Sequence, residues 1–172
     1  MKTPTLSSET VPASCIAIGG RAVLIGGRSG KGKSDLALRL IDRGAALVSD
    51  DYTLVQRREG RLIAAAPETI AGKIELRGVG ILEYPAVRDI PIALFVHLDL
   101  DAARLADTDE KRLVAGVPLP VIGLSAQEPS APIKVEADAP PRVELHAPEA
   151  ELEIDPGEKI TLRYEAQDDF GL

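Results

Sequence analysis

Residues 27–34 read Gly-Arg-Ser-Gly-Lys-Gly-Lys-Ser, a complete G-x-x-x-x-G-K-[ST] stretch. It constrains the fold more than any other feature, because such a loop needs a strand to deliver it and a helix to continue it. Gly27, Gly30 and Gly32 allow successive backbone N–H groups to turn toward an anion without Cβ clashes. The helix that follows adds its positive end. Both neighbours are legible. Residues 22–25 are apolar and strand-like, and "KSDLALRLIDRG" (33–44) repeats Leu36, Ala37, Leu40 and Ile41 at helical spacing before Gly44, a good C′ residue. Gly27, Arg28, Ser29, Gly30, Lys31, Gly32, Lys33 and Ser34 are thus the expected phosphate-binding residues. Lys33 can bridge β- and γ-oxygens of a nucleotide, and Ser34 can offer its hydroxyl to Mg²⁺. The Lys31 side chain reads as a solvated loop charge.

Most of the other segments read as strands. "SCIAIGGRAVLI" (14–25) places two apolar runs around Gly19-Gly20, a two-residue hairpin signal. The strand entering the loop is therefore hairpin-paired to the strand before it, whereas a doubly wound sheet puts its phosphate strand among parallel neighbours. "AALVS" (45–49) is a strand running into Asp50-Asp51, and 52–66 is a second hairpin turning at Glu59-Gly60. Residues 71–85 are glycine-punctuated and expected around a site. Residues 90–100 form a buried strand, and 101–113 a weak helix or loop. Segments 117–124 and 131–137 are expected as edge strands because both contain proline. The outcome is an α/β, strand-rich domain over 11–138, preceded by polar residues 1–10, expected to be disordered.

Two carboxylates, Asp50 and Asp51, follow the strand after the loop helix. A kinase acting on a hydroxyl needs one carboxylate to take its proton and acidic oxygens to hold Mg²⁺. Neighbours on an extended chain point to opposite faces, so the two should differ in role. Aspartate is also common where strands end, and the pair alone fits a solvated turn equally well. In "IELRGVGIL" (74–82), alternation sets Glu75 and Arg77 on one face and Ile74 and Leu76 on the other. Such a pair can bind metal and phosphate, or form a surface ion pair.

A pI near 4.9, a net charge of −7 and 3% aromatic residues exclude a basic, base-stacking nucleic-acid surface. No apolar run is long enough to span a bilayer, and "MKTPTLSSETVPAS" lacks the apolar core of a secretory signal. With Cys15 as the single cysteine, a cytoplasmic protein without membrane partners is expected. The acidity is concentrated in residues 139–172, with nine Asp/Glu against three Lys/Arg. There apolar and acidic residues alternate between turns at Ala147-Pro148 and Pro156-Gly157. Two or three strands are expected, as an appendage outside the active site.

"GRSGKGKSDLALRLIDRGAALVSDD" followed by "IELRGVGIL" resembles the C-terminal kinase domain of HPr kinase/phosphorylase. The resemblance implies a fold shared with phosphoenolpyruvate carboxykinase, ATP and Mg²⁺ as cofactors, and a serine of the phosphocarrier HPr, or an HPr-like protein, as acceptor. It implies phosphotransferase-system regulation, with phosphate removal as a second activity, and it admits a homo-oligomer. By position it makes Lys33 the phosphate lysine, Ser34 and Glu75 the metal ligands, and Asp51 the proton acceptor. Arg77, Gly78 and Gly80 fall in the signature around the reaction. Pro12 stands where the family begins its strand with histidine, Asp35 where a glutamate follows the loop serine, and a later arginine-bearing stretch is replaced by "GLSAQEPSAPIKVE" (123–136). Two other readings stay open: a P-loop kinase with another hydroxyl substrate, and a nucleotide-binding sensor with little chemistry.

Overall fold

Two-residue turns with both central residues at positive φ fold the first part of the chain into hairpins. The computed structural model describes residues 7–100, 111–138, 142–147 and 163–167. Its contacts divide it into Met1–Ala139 and Pro140–Leu172. In the first unit, β2 (Ala13–Ile18) and β3 (Arg21–Gly26) pair antiparallel around Gly19 and Gly20, at φ +54° and +76°. Glu59 and Gly60, at +50° and +78°, likewise join β5 (Thr53–Arg58) to β6 (Arg61–Ala65). Ala115 and Gly116, at +44° and +76°, join β10 (Lys111–Val114) to β11 (Val117–Gly123). This turn geometry matches the right-handed twist of the strands it connects.

β1 (Ser8–Val11), β4 (Ala46–Ser49) and β9 (Ile90–His97) complete the main sheet, whose path runs β1-β5-β6-β9-β3-β2-β4. β9 is the junction. Its start pairs antiparallel with β6 at Ala64↔Ile90, and its end pairs parallel with β11 at Val121↔Phe95. Along its other edge it runs parallel to β3, so Gly26 lies opposite His97. The loop strand is thus antiparallel to β2, as its hairpin implies, and parallel to β9 on its other side. β7 (Lys73–Leu76) and β8 (Gly80–Glu83) form a separate antiparallel ribbon.

The main sheet buries both faces. Ile16, Val23, Ile25, Leu47, Leu94 and Val96 face α1 (Lys33–Asp42) and α2 (Ala131–Asp138). Cys15, Ala17, Ala22, Leu24, Val48 and Phe95 pack on the opposite side with Val55, Leu62 and Ala64. Alternation along β2 and β3 sends successive residues to opposite clusters, as the two-residue period requires. Helix α1 buries Leu36, Ala37 and Leu40. It ends in a Schellman motif: Ala45 N–H donates to the Leu40 carbonyl (3.0 Å) and Gly44 N–H to Ile41 (3.0 Å), with Gly44 at φ +108°.

Three expectations are corrected. Residues 131–137 form helix α2, not an edge strand: Ala131 and Val135 are buried one turn apart, and Pro132 sits in the first turn, where its missing N–H costs nothing. Residues 8–10 belong to β1, paired with β5 through Ser8↔Gln56 and Glu9↔Val55, and not to a disordered terminus. Residues 111–113 are strand, held in β10; the rest of 101–113 lies outside the described residues. Pro118 and Pro120 do lie in β11, in the half that pairs only with β10. In the second unit, β12 (Arg142–Ala147) and β13 (Arg163–Gln167) pair antiparallel; the remainder of the acidic tail lies outside the described residues.

Candidate functional site

The parallel pair β3/β9 delivers residues 27–32 to one end of the sheet, where α1 begins. Gly32 caps the helix at φ +92°, in the left-handed region, with no side-chain cap, so the first-turn amides stay open. Gly30 lies at +83° and Gly27 at +150°. The backbone turns back on itself through Lys31 N–H donating to the Arg28 carbonyl (3.2 Å). Lys33 Nζ donates to the Gly27 carbonyl at 3.3 Å, which folds its ammonium over the cradle. Close packing fixes the base of the loop. A Cβ on Gly26 would lie 2.4 Å from the Phe95 ring, and one on Gly27 would lie 3.0 Å from Leu98 Cβ.

The loop opens on a cavity of about 440 Å³ lined by Ser29, Gly30, Gly32, Lys33, Ser34, Asp35, Asp51, Glu75, Leu76 and Arg77. Every site residue named from the sequence between Ser29 and Arg77, except Lys31 and Asp50, reaches this cavity. Arg28 and Lys31 do not line it. They turn to the back of the loop, where Asp99 receives Arg28 N–H (2.7 Å) and Arg28 Nε (3.2 Å) and lies 3.7 Å from Lys31 Nζ. Partial burial alone would raise the Asp99 pKa. The two hydrogen bonds from Arg28 and the charges of Arg28 and Lys31 outweigh it and hold the carboxyl below its usual range.

The two aspartates at the end of β4 have opposite environments. Asp50 is buried at 4% exposure and accepts from Ser14 Oγ (2.6 Å), Ser34 Oγ (2.9 Å) and Glu75 N–H (3.0 Å). One carboxylate thus ties β2, the first turn of α1 and β7 together. Asp51 is exposed and sits at φ +60°, rare for a residue other than glycine. Across it Tyr52 N–H donates to the Asp50 carbonyl at 2.7 Å. This is the strained form of the γ-turn, and strain of this kind gathers at functional sites. The turn aims Asp51 into the cavity and leaves Asp50 beneath it.

The β7–β8 ribbon supplies the opposite wall. Ile74 is buried beneath it, while Glu75, Leu76 and Arg77 all line the cavity, because the chain leaves β7 for a turn after Leu76 and strict alternation stops there. Arg77 lies over the loop, its Nη1 3.8 Å from where a Gly30 Cβ would stand. At the first turn of α1 the Ser34 hydroxyl meets the Asp50 carboxylate, and Ser34, Asp51 and Glu75 line the same cavity. No group of three or more His, Cys, Asp or Glu cages a metal among the described residues. Sequence reasoning missed Ser14 and Asp99. Asp99 carries one legible signal, an apolar strand ending in a carboxylate; Ser14 carries none.

A family model described as the HPr Serine kinase C-terminal domain matches residues 5–90. The HPr kinase/phosphorylase of Clostridium tetani (strain Massachusetts / E88) is 39% identical, over 61% of this chain and 38% of the relative. That of Lacticaseibacillus casei (strain BL23) is 38% identical, over 67% of this chain and 38% of the relative. The chain therefore spans 38% of the length of these curated relatives. Among solved structures, the Hpr(Ser) kinase/phosphatase from Coxiella burnetii is 27% identical with a TM-score of 0.64, covering 74% of this chain and 86% of that one. No described helix is long and apolar enough to cross a membrane.

Proposed function

Because this chain belongs to the HPr serine kinase C-terminal domain family, we propose that it transfers the γ-phosphoryl group of ATP, with Mg²⁺, to a serine hydroxyl of the phosphocarrier HPr or an HPr-like protein. The reading includes regulation of the phosphotransferase system, removal of the same phosphate as a second activity, and action in the cytoplasm, where ATP and the carrier meet. The single observation that supports it most is the meeting of Lys33, Ser34, Asp51, Glu75 and Arg77 around one cavity.

In this reading the loop amides and Lys33 bind the β- and γ-phosphates. Ser34 and Glu75 would hold Mg²⁺, which supplies charge neutralisation between those phosphates. Asp50, beneath them, keeps the Ser34 hydroxyl and the Glu75 backbone in place through its three accepted hydrogen bonds. Asp51 takes the proton of the acceptor serine as its oxygen bonds to the γ-phosphorus. The bond to the β-phosphate oxygen breaks, and ADP carries away that electron pair. Arg77, over the loop, balances charge on the transferring group.

The test is incubation of the full chain with γ-labelled ATP, Mg²⁺ and purified HPr. Label should appear on an HPr serine and be absent with Lys33→Ala. A second arm gives phosphorylated HPr and inorganic phosphate and follows loss of label. Nucleotide binding without labelling of HPr or any other phosphocarrier would overturn the phosphocarrier-kinase assignment in favour of a sensor or a kinase with another hydroxyl substrate.

A further inference from the structure

Asp99 has no part in the reaction proposed above, yet it holds the loop on which that reaction depends. It stands just past β9, the parallel neighbour of the loop strand, where Leu98 N–H still donates to the Gly26 carbonyl at 2.9 Å. Its own N–H donates to His97 Nδ1 (3.2 Å), which fixes the turn that carries it. Its side chain is only 16% exposed, whereas that of Arg28, its main partner, is 78% exposed. The carboxylate is thus the fixed member of the pair, and the loop is the member being held.

We propose that Asp99 is a positioning residue that presets the phosphate cradle from behind. Three features carry this. The carboxylate occupies the backbone N–H of Arg28, near the start of the loop, and the Arg28 carbonyl takes the Lys31 N–H, so both amides are withheld from an anion. It draws the Arg28 and Lys31 side chains to the outer face of the loop, leaving Lys33 as the loop cation in the cavity. It also acts on a segment with three positive-φ glycines, Gly27, Gly30 and Gly32, which is the stretch with the most conformational freedom to lose on binding. A loop already ordered binds phosphate without meeting that cost at the moment of binding. The bond from the Arg28 backbone N–H to the carboxylate, at 2.7 Å, is a charge-assisted hydrogen bond strong enough for the effect to register as affinity.

This inference rests on the reading of the loop as an ATP site, and the experiment separates the two. Mg²⁺–ATP binding to the full chain is measured by calorimetry for the unaltered protein, Asp99→Asn and Asp99→Glu. Asp99→Asn should weaken binding about tenfold and raise the KM for ATP similarly. The kcat at saturating ATP should change less than about threefold, since bound nucleotide re-forms the cradle. Without nucleotide, amide exchange should quicken at residues 28–32 in Asp99→Asn and stay unchanged in β3 and β9. Asp99→Glu restores the charge one methylene out of place and should fall between the two; it carries the same test if the asparagine variant does not fold. Equal ATP affinity in all three proteins would overturn the positioning role while leaving the loop reading intact. Faster exchange across the whole sheet, or a fall in kcat at unchanged KM, would also overturn it. No ATP binding by the unaltered chain would overturn the loop reading, and the inference with it.

Discussion

Replacing Asp50 by asparagine changes one atom, and the structure says what that atom does. Oδ2 of Asp50 accepts the Glu75 N–H at 3.0 Å and Ser34 Oγ at 3.1 Å, while Oδ1 accepts Ser14 Oγ at 2.6 Å and Ser34 Oγ at 2.9 Å. An amide nitrogen placed at Oδ2 would confront the Glu75 N–H, donor against donor. Flipping the amide moves the conflict to Ser14, whose hydroxyl must then accept and leave its own hydrogen unpaired. Either way one buried donor loses its acceptor, at roughly 1–3 kcal/mol, and the remaining bonds lose their charge assistance. Relief of the buried charge offsets part of this, leaving a net loss of about 1–3 kcal/mol. For a domain of this size that lowers the melting midpoint by roughly 3–10 °C. Asp51→Asn is the internal control. Asp51 is exposed, and asparagine tolerates positive φ, so its midpoint should stay within about 2 °C while phosphoryl transfer falls about 10²–10⁴-fold. Differential scanning calorimetry on both variants, with HPr phosphorylation measured in parallel, makes the comparison. If Asp50→Asn melts with the unaltered protein, or Asp51→Asn melts as low as Asp50→Asn, the division into buried support and exposed base is wrong.

Glu75→Gln should raise the Mg²⁺ needed for half-maximal activity several-fold with little change in folding, because Glu75 is exposed; an unchanged Mg²⁺ titration would make it a surface carboxylate. Gly26→Ala should destabilise by about 1–3 kcal/mol, since its Cβ would stand 2.4 Å from the buried Phe95 ring, and Phe95→Leu should recover part of that in the double variant, read by denaturant titration. Burial pushes the Cys15 thiol far up, so the thiolate is absent from the folded protein at neutral and mildly alkaline pH. A thiol reagent at pH 8 should therefore modify Cys15 only as the chain unfolds, and rapid modification of the native protein would contradict that burial.

Local chemistry made part of the fold legible. The loop, its entering strand and helix α1 were visible because glycine spacing, helical periodicity and Gly44 at the C′ position all act within a few residues. The hairpins at Gly19-Gly20 and Glu59-Gly60 were visible because their turns need positive φ. Helix α2 was misread because "PIKVE" alternates as a strand does, and only tertiary packing shows Ala131 and Val135 buried on one side. β1 was missed because "SETV" is polar and exposed for most of its length; its backbone pairing with β5, not its side chains, holds it.

The site divides along the same line. Lys33 and Ser34 belong to a complete loop motif, whereas alternation puts Glu75 and Arg77 on one face and leaves open whether they bind or form a surface ion pair. The aspartate pair could be named but not sorted by residue chemistry alone, since Asp50 and Asp51 carry the same side chain and adjoin in sequence. Their separation comes from partners distant along the chain. Ser14, 36 residues earlier, and Glu75, 25 residues later, bring the donors that make a buried carboxylate tolerable at position 50. With Asp50 held below, the γ-turn that returns the chain to β5 has to place Asp51 at φ +60° and outward. The exposed carboxylate in the cavity is therefore a consequence of the buried one beneath it. For the same reason, loosening Asp50 should misplace Asp51 as well as the Ser34 hydroxyl, so that Asp50→Asn loses activity beyond what its lower stability explains.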